Sequence, residues 1–187
     1  MIYHCCEENR RALVDAHPTL NGIDFLEVLD LDAPPGSPRQ RTLLVRLLKP
    51  VPAGRSPENL HISGGERVRQ VNIEWVAIAS APPPQANAAE QALLLALTEP
   101  NHVLVVRTDS DGDHSTYQLQ LRRAGSLDTP LADFDPRLSA VDFAFKVECP
   151  SDFDCKPPND CPERANATPN TIPPGYWQDA NGNLIPE

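Results

Sequence analysis

Apolar and polar residues alternate most regularly near the end of the chain, where Val141 begins a short run with a period of two. Five side chains fall on one face of that run: Val141, Phe143, Phe145, Val147 and Cys149. This alternation is typical of a strand with one face buried. Pro150 follows, and it ends the hydrogen-bond ladder because it has no N–H to donate. The sequence therefore predicts a closing strand over residues 141–149.

Six preceding stretches also have the pattern or composition of strands, and one of them, 42–51, is nearly all apolar, which is typical of a strand covered on both sides. They predict strands over residues 23–30, 42–51, 59–63, 71–77, 103–108 and 116–122. About seven short strands at roughly ten-residue spacing, separated by turn residues, favour an immunoglobulin-like antiparallel β-sandwich. Val68 is out of phase with the strand at 71–77, which predicts a bulge near Arg69 and Gln70.

Two stretches have helical composition instead. Residues 7–16 are rich in Glu, Arg, Ala and Leu, and the His17-Pro18 pair ends them because proline disfavours helical backbone in the residue before it. Residues 87–97 are built mainly from Ala and Leu. The fold class is therefore mainly β, with two short helices decorating the sandwich.

The polar segment 109–113 lies between two predicted strands and indicates a hairpin turn. Its three aspartates, Asp109, Asp111 and Asp113, resemble the start of an EF-hand calcium loop. That loop needs glycine at its sixth position and glutamate at its twelfth, where this chain has His114 and Gln120. We therefore interpret the segment as a turn that joins the strands 103–108 and 116–122.

The composition changes after Cys161, where Pro, Asn and Thr become frequent. We predict two parts: a sandwich domain over 1–161, with its helix and cysteines, and an extended proline-rich arm over 162–187. Tyr176 and Trp177 are isolated aromatic residues in the arm. Since aromatic side chains dominate interface energetics, they are the predicted protein-binding residues.

Charge and hydropathy exclude several classes of function. The chain has 26 acidic and 16 basic residues and a formal net charge of −10, which opposes binding to nucleic acid or an anionic membrane. No apolar run approaches the ~20 residues that span a bilayer, and the first residues lack the pattern of a signal peptide. We expect no membrane insertion and a cytoplasmic location at synthesis.

The five cysteines carry the main candidate chemistry: Cys5, Cys6, Cys149, Cys155 and Cys161. Zinc or an iron–sulfur cluster takes four thiolates, or three with a histidine such as His4. The spacing lacks the common C-x2-C pattern, so unligated thiols and disulfides stay open as alternatives. We hypothesise that the closing strand returns beside the amino terminus and brings all five thiols into one cluster.

No catalytic constellation appears in the sequence. There is no G-x-S-x-G elbow, no phosphate-binding P-loop and no H-E-x-x-H zinc helix. We therefore expect a protein without enzymatic activity.

Four segments together resemble one family, the N-terminal domain of the large baseplate assembly protein (the baseplate J-like wedge component) of phage-tail-like contractile injection systems. They are YHCCEENRRALVDAHPTLNGIDFLEVLD, SPRQRTLLVRLLKPVPAG, VLVVRTDSDGDHSTYQLQL and FDPRLSAVDFAFKVECPSDFDC. The similarity spans residues 3–155. Members of this family continue into a wedge-forming core, so wedge dimerisation is not carried over to this chain.

The resemblance implies a structural baseplate subunit, present in six copies per particle, that contacts wedge, hub or spike, and sheath subunits. It implies that the chain becomes part of an assembled injection particle, and it supplies no catalytic residues. Two alternatives stay open. One is a stand-alone sandwich that binds carbohydrate or a cell surface, and the other is a metal or iron–sulfur protein that uses the thiols.

Overall fold

The computed structural model describes residues 2–4, 8–126, 129–146, 176–178 and 184–186. Its helices are α1 (Glu8–Ala16) and α2 (Ala88–Ala96). Its strands are β1 (Ile2–His4), β2 (Ile23–Leu29), β3 (Thr42–Leu47), β4 (Leu60–Gly64), β5 (Ile73–Ile78), β6 (Val103–Thr108), β7 (Tyr117–Leu121), β8 (Ala140–Phe143), β9 (Tyr176–Gln178) and β10 (Leu184–Pro186). The chain is mainly β, as predicted.

Two antiparallel sheets form the sandwich. One has the strand order β1-β2-β3-β6-β5, and the other has the order β4-β7-β8. When β1 is set aside, β2-β3-β6-β5 facing β4-β7-β8 is the A-B-E-D over C-F-G arrangement of a constant-type immunoglobulin domain. The predicted immunoglobulin-like sandwich is therefore confirmed, with β1 added at the outer edge of the first sheet.

The core lies between the sheets and is built from alternate residues of both. In the first sheet Leu26, Val45 and Val106 are buried, and in the second Leu119 and Leu121 are buried. β3 and β6 are buried on both faces, because α2 covers the outer side of the first sheet with a second apolar cluster. Two-sided burial explains why these strands are almost continuously apolar in sequence.

Three aromatic rings fill one end of the core. The ring centroids of Tyr117 and Phe143 are each 4.9 Å from that of Phe145, with edge-to-face geometry. Gly112 lies against the same cluster with φ +56°, and a Cβ there would come within 2.4 Å of the Phe145 ring. The predicted inward side chains Val141, Phe143 and Phe145 are buried, as predicted. The closing strand predicted over 141–149 is too long, because β8 ends at Phe143 and residues 144–146 are not strand. Val147 and Cys149 lie outside the described residues.

The hairpin predicted around residues 109–113 is wrong. β6 and β7 belong to different sheets: β6 pairs with β3 and β5, and β7 pairs with β4 and β8. The segment between them crosses from one sheet to the other, as the E–F connection does in immunoglobulin domains. Alternation identifies each strand but does not say which neighbour it pairs with, and tertiary packing settled that choice here.

The predicted bulge also lies elsewhere. Arg69 and Gln70 precede β5 and belong to the loop between β4 and β5. The register shift is at Glu74, between Ile73 and Trp75. Val68 is out of phase because it lies in this loop, where its carbonyl accepts a hydrogen bond from the Tyr117 hydroxyl, and not because a ladder contains an extra residue.

Candidate assembly surfaces

The beginning of the chain meets the closing strand at one edge of the sandwich. Cα atoms of β1 and β8 approach within 8 Å. β1 is paired with β2 so that His4 is opposite Phe25, near the start of β2. The predicted return of the closing strand beside the amino terminus is confirmed at the level of the backbone.

The two cysteine-bearing segments nevertheless leave this edge at opposite ends. After His4 the chain departs at the end where β2 begins. Lys146 Nζ lies 3.1 Å from Asp111 Oδ2, in the connection that follows β6, at the end where β2 finishes. On β2 these two ends correspond to Phe25 and Leu29, which are four residues and about 14 Å apart along the strand. A common thiol cluster therefore requires residues 147–161 to turn back along the sandwich.

All five cysteines lie outside the described residues, so zinc or iron–sulfur binding stays a prediction. Within the described ranges, no three His, Cys, Asp or Glu side chains are grouped so that they could hold a metal ion. No described helix is long and apolar enough to cross a bilayer.

The predicted interface residues Tyr176 and Trp177 lie in β9. This strand pairs antiparallel with β10, so that Trp177 is opposite Ile185. The segment predicted as an extended arm thus contains a short β-ladder of its own, on either side of residues 179–183. Its role as a binding element stays a prediction.

A hydrogen-bonded corner fixes the loops at the end of the sandwich where Lys146 lies. Tyr117 Oη donates to the Val68 carbonyl at 2.6 Å and accepts from the Asp113 N–H at 3.0 Å. Burial raises the pKa of the Tyr117 hydroxyl, so it is protonated and able to donate at neutral pH. Tyr117 begins β7, the place of the tyrosine corner in immunoglobulin domains. It joins the β4–β5 loop to the β6–β7 connection.

Asp113 completes this corner through its carboxylate. Oδ2 accepts from the backbone N–H groups of Arg67 at 2.7 Å and Val68 at 2.8 Å, and Oδ1 accepts from Ser115 N–H at 2.8 Å. Burial alone would raise the pKa of Asp113, but the bonds from the Ser115 hydroxyl and from these backbone groups outweigh it and hold the pKa far below its usual value. Asp113, one of the three aspartates that resemble a calcium loop, therefore holds the β4–β5 loop against the β6–β7 connection.

A buried ion pair fixes α2 on the outer side of the first sheet. Glu90 is 1 % exposed and pairs with Arg107 of β6, which is 6 % exposed. Thr42 Oγ1 lies 3.4 Å from Glu90 Oε1, and the Arg107 guanidinium lies 5.0 Å from the centroid of Trp75. Leu94, one turn further along α2, is also buried, in the apolar cluster between α2 and the sheet. Because a lone buried charge is costly, the pair sets which face of α2 points inward.

The opposite face of α2 is apolar and exposed. Its exposed residues are Ala88, Ala89, Ala92, Leu95 and Ala96. At about 100° per residue they occupy a stripe roughly 120° wide. The one charged residue of α2 is Glu90, and it is buried. The usual arrangement of a surface helix is thus inverted, a feature that the sequence prediction of a helix at 87–97 did not identify.

The outer face of the second sheet is polar by contrast. Gln118 and Asp142 are exposed there, and Gln118 Nε2 donates to Asp142 Oδ1 at 2.9 Å. Ser63 is exposed on the neighbouring strand, opposite Gln118. The large apolar residues that are exposed among the described residues lie elsewhere: Leu13 on α1, Leu31 in the β2–β3 loop and Leu95 on α2.

The comparison with known families assigns the fold to a biological context. The model of the phage baseplate assembly protein N-terminal domain matches residues 1–143. The chain belongs to this family. The match covers β1 to β8, and therefore the whole immunoglobulin-like sandwich. No curated protein and no solved structure matches the chain significantly.

Membership gives the chain a structural role in a baseplate, a place in a phage-like particle, and other baseplate components as its partners. It confirms the resemblance found in the sequence. The family is one of structural assembly proteins, in agreement with the expectation of a non-enzymatic protein.

Proposed function

We propose that this baseplate domain is a subunit of a phage-tail-like contractile injection particle, where it links wedge, hub or spike, and sheath subunits. The family match over residues 1–143 is the observation that carries the proposal. Six copies per particle follow from the six-fold symmetry expected of such a baseplate.

The architecture suits a part that is held by its neighbours while force passes through the assembly. The loops at one end of the sandwich are fixed to one another by Tyr117 and Asp113. At the other end α1 is fixed by ion pairs from Arg10 to Asp135 and from Arg11 to Asp24. Tertiary hydrogen bonds at both ends restrict local opening, and this supports a rigid structural element.

The segment from residue 162 supplies the second part of the proposal. We infer that it binds a neighbouring subunit through Tyr176 and Trp177, either by strand addition or by lying over the neighbour's surface. The β9–β10 ladder supports strand addition, because a two-stranded ladder is marginal alone and gains stability when a third strand or a packing surface is added.

Co-purification tests the proposal. An epitope-tagged chain is expressed in the cells that make it, and intact contractile particles are isolated by sedimentation and then treated to dissociate the sheath. The tagged chain is expected to sediment with the particles and to stay with the baseplate fraction. A chain found in the soluble fraction, with particles of normal composition, would refute the proposed function.

A further inference from the structure

The apolar outer face of α2 has no role in the sandwich core. Soluble proteins usually place charged residues on the exposed side of a surface helix. In α2 all five exposed residues are apolar, and Leu95 remains 54 % exposed. Alanine is common in helices for its propensity alone, but Leu95, at one edge of the stripe, leaves a large hydrophobic group in water.

The orientation of α2 is fixed and does not depend on the apolar stripe. The buried Glu90–Arg107 pair, together with Leu94, holds the inner face. Asn87 caps the helix by accepting from the Glu90 N–H at 2.9 Å, and its amide donates to Ser37 in the β2–β3 loop at 3.0 Å. The helix therefore presents the stripe without a rearrangement, as a preorganised docking surface should.

The size of the stripe indicates what kind of occupant it has. A nine-residue helix is about 13 Å long and about 10 Å wide. This area is far below the ~800 Å² per partner that a stable two-protein interface buries. The stripe is too small to hold a free partner by itself, but it is sufficient as one of several contacts within a multi-subunit assembly.

Charge argues against a second copy of this chain as the occupant. Each copy has a net charge of −10, so two copies repel, and the stripe itself has no charged group to offset that repulsion.

α1 is a poorer candidate surface. Although Leu13 and Ala16 are exposed, Asp15 interrupts them and Arg10 and Arg11 flank them.

We propose that the outer face of α2, formed by Ala88, Ala89, Ala92, Leu95 and Ala96, docks an apolar segment of a neighbouring, different baseplate subunit. This inference rests on the proposed function and specifies one of its contacts. In this proposal α2 supplies the docking surface, and the Glu90–Arg107 pair fixes the orientation of α2.

A charge-neutral double substitution tests the contact. A92E/L95R replaces Ala92 at the centre of the stripe and Leu95, its one large residue, with Glu and Arg at i and i+3. This spacing supports helix formation, and the opposite charges leave the net charge unchanged. L13E/A16R is the matched control, because it places the same pair at the same spacing on exposed positions of α1. The melting temperatures of both variants are measured first and are expected to stay within about 2 °C of the wild type, since both sites are on the surface.

Incorporation into particles is then quantified against the sheath subunit by mass spectrometry. We expect L13E/A16R to match the wild type and A92E/L95R to fall at least tenfold. Normal incorporation of A92E/L95R, or an equal loss of both variants, would overturn the α2 contact. The proposed function would still stand in that case, provided that the wild type is found in the particle. Absence of the wild type from particles would refute the proposed function itself.

A photo-crosslinking amino acid at position 95 identifies the occupant within wild-type particles. A crosslink to a different baseplate subunit is the expected result. A crosslink to a second copy of this chain, or within the chain to residues 147–187, would overturn the proposal.

Discussion

At the scale of single residues, the Tyr117 hydroxyl joins two loops at one end of the sandwich by hydrogen bonds. It bridges Val68 in the loop before β5 and Asp113 in the connection before β7. Gly65 makes room for this contact, since it has φ +80° and a Cβ there would lie 2.8 Å from the hydroxyl. Glycine at position 65 is therefore required by the tyrosine corner.

Removing the hydroxyl tests the corner. Tyr117→Phe keeps the buried ring but leaves the Val68 carbonyl and the Asp113 N–H without this partner, and we expect it to lower the free energy of unfolding by about 1–2 kcal/mol. Urea unfolding measures the change. Gln118→Ala, on the exposed face of the same strand, is the control and should stay within about 0.5 kcal/mol. Equal effects of the two variants would show that the hydroxyl bonds contribute nothing.

The Asp113 carboxylate predicts how stability depends on pH. Its pKa is lower in the folded state than the ~3.9 of an unfolded aspartate, so its contribution is present above about pH 4 and is lost as the pH falls. Asp113→Asn should therefore cost about 1–3 kcal/mol at pH 7, and its difference from the wild type should shrink below pH 4. Urea unfolding at pH 7, 5, 4 and 3 measures this. A difference that stays constant with pH would contradict the assignment.

At the scale of elements, α2 and β6 form a unit joined by the Glu90–Arg107 pair. Glu90→Gln leaves the Arg107 guanidinium buried without its counter-charge and should destabilise the domain by about 3–5 kcal/mol. The double variant E90L/R107M removes both charges and should recover to within about 1 kcal/mol of the wild type. Thermal and urea unfolding of the set measure the coupling. A Glu90→Gln variant whose stability equals that of the wild type would contradict the buried pairing.

Most elements could be predicted from the sequence because they depend on local periodicity. The strand predicted at 103–108 has the bounds of β6, and the helix predicted at 7–16 differs from α1 by one residue. Strand pairing could not be predicted in the same way, because alternation in β6 and β7 fixes the face of each strand and not its neighbour. The false hairpin at 109–113 has this origin: the polar residues of that segment bond to the β4–β5 loop, which is distant in sequence.

The candidate surface on α2 was missed for a related reason. Helical composition at 87–97 predicts a helix but not which side faces the sheet. The side of a helix without charged residues ordinarily faces the core. In α2 the side that carries Glu90 faces the sheet instead, because Glu90 pairs with the buried Arg107 on β6. The available signal was Arg107 among the apolar residues of the strand predicted at 103–108, since an arginine in a buried strand requires an acidic partner.

At the scale of the whole molecule, the sandwich and the segment after it are expected to have separate roles. Truncation after Cys161 removes the predicted arm and leaves β1 to β8 intact, so the melting temperature should change little. Incorporation into particles should fall, because the arm's contacts through Tyr176 and Trp177 are lost. Quantitative mass spectrometry of purified particles measures this. Normal incorporation of the truncated chain would show that the arm does not bind.

The central claim is that the chain is a structural part of a baseplate, and an image of the assembled particle tests it most directly. In a cryo-electron-microscopy map of the extended particle, we predict six copies of the eight-stranded sandwich in the baseplate, each in contact with a subunit of another kind. A complete baseplate map whose density is accounted for by other subunits, without this sandwich, would contradict the account.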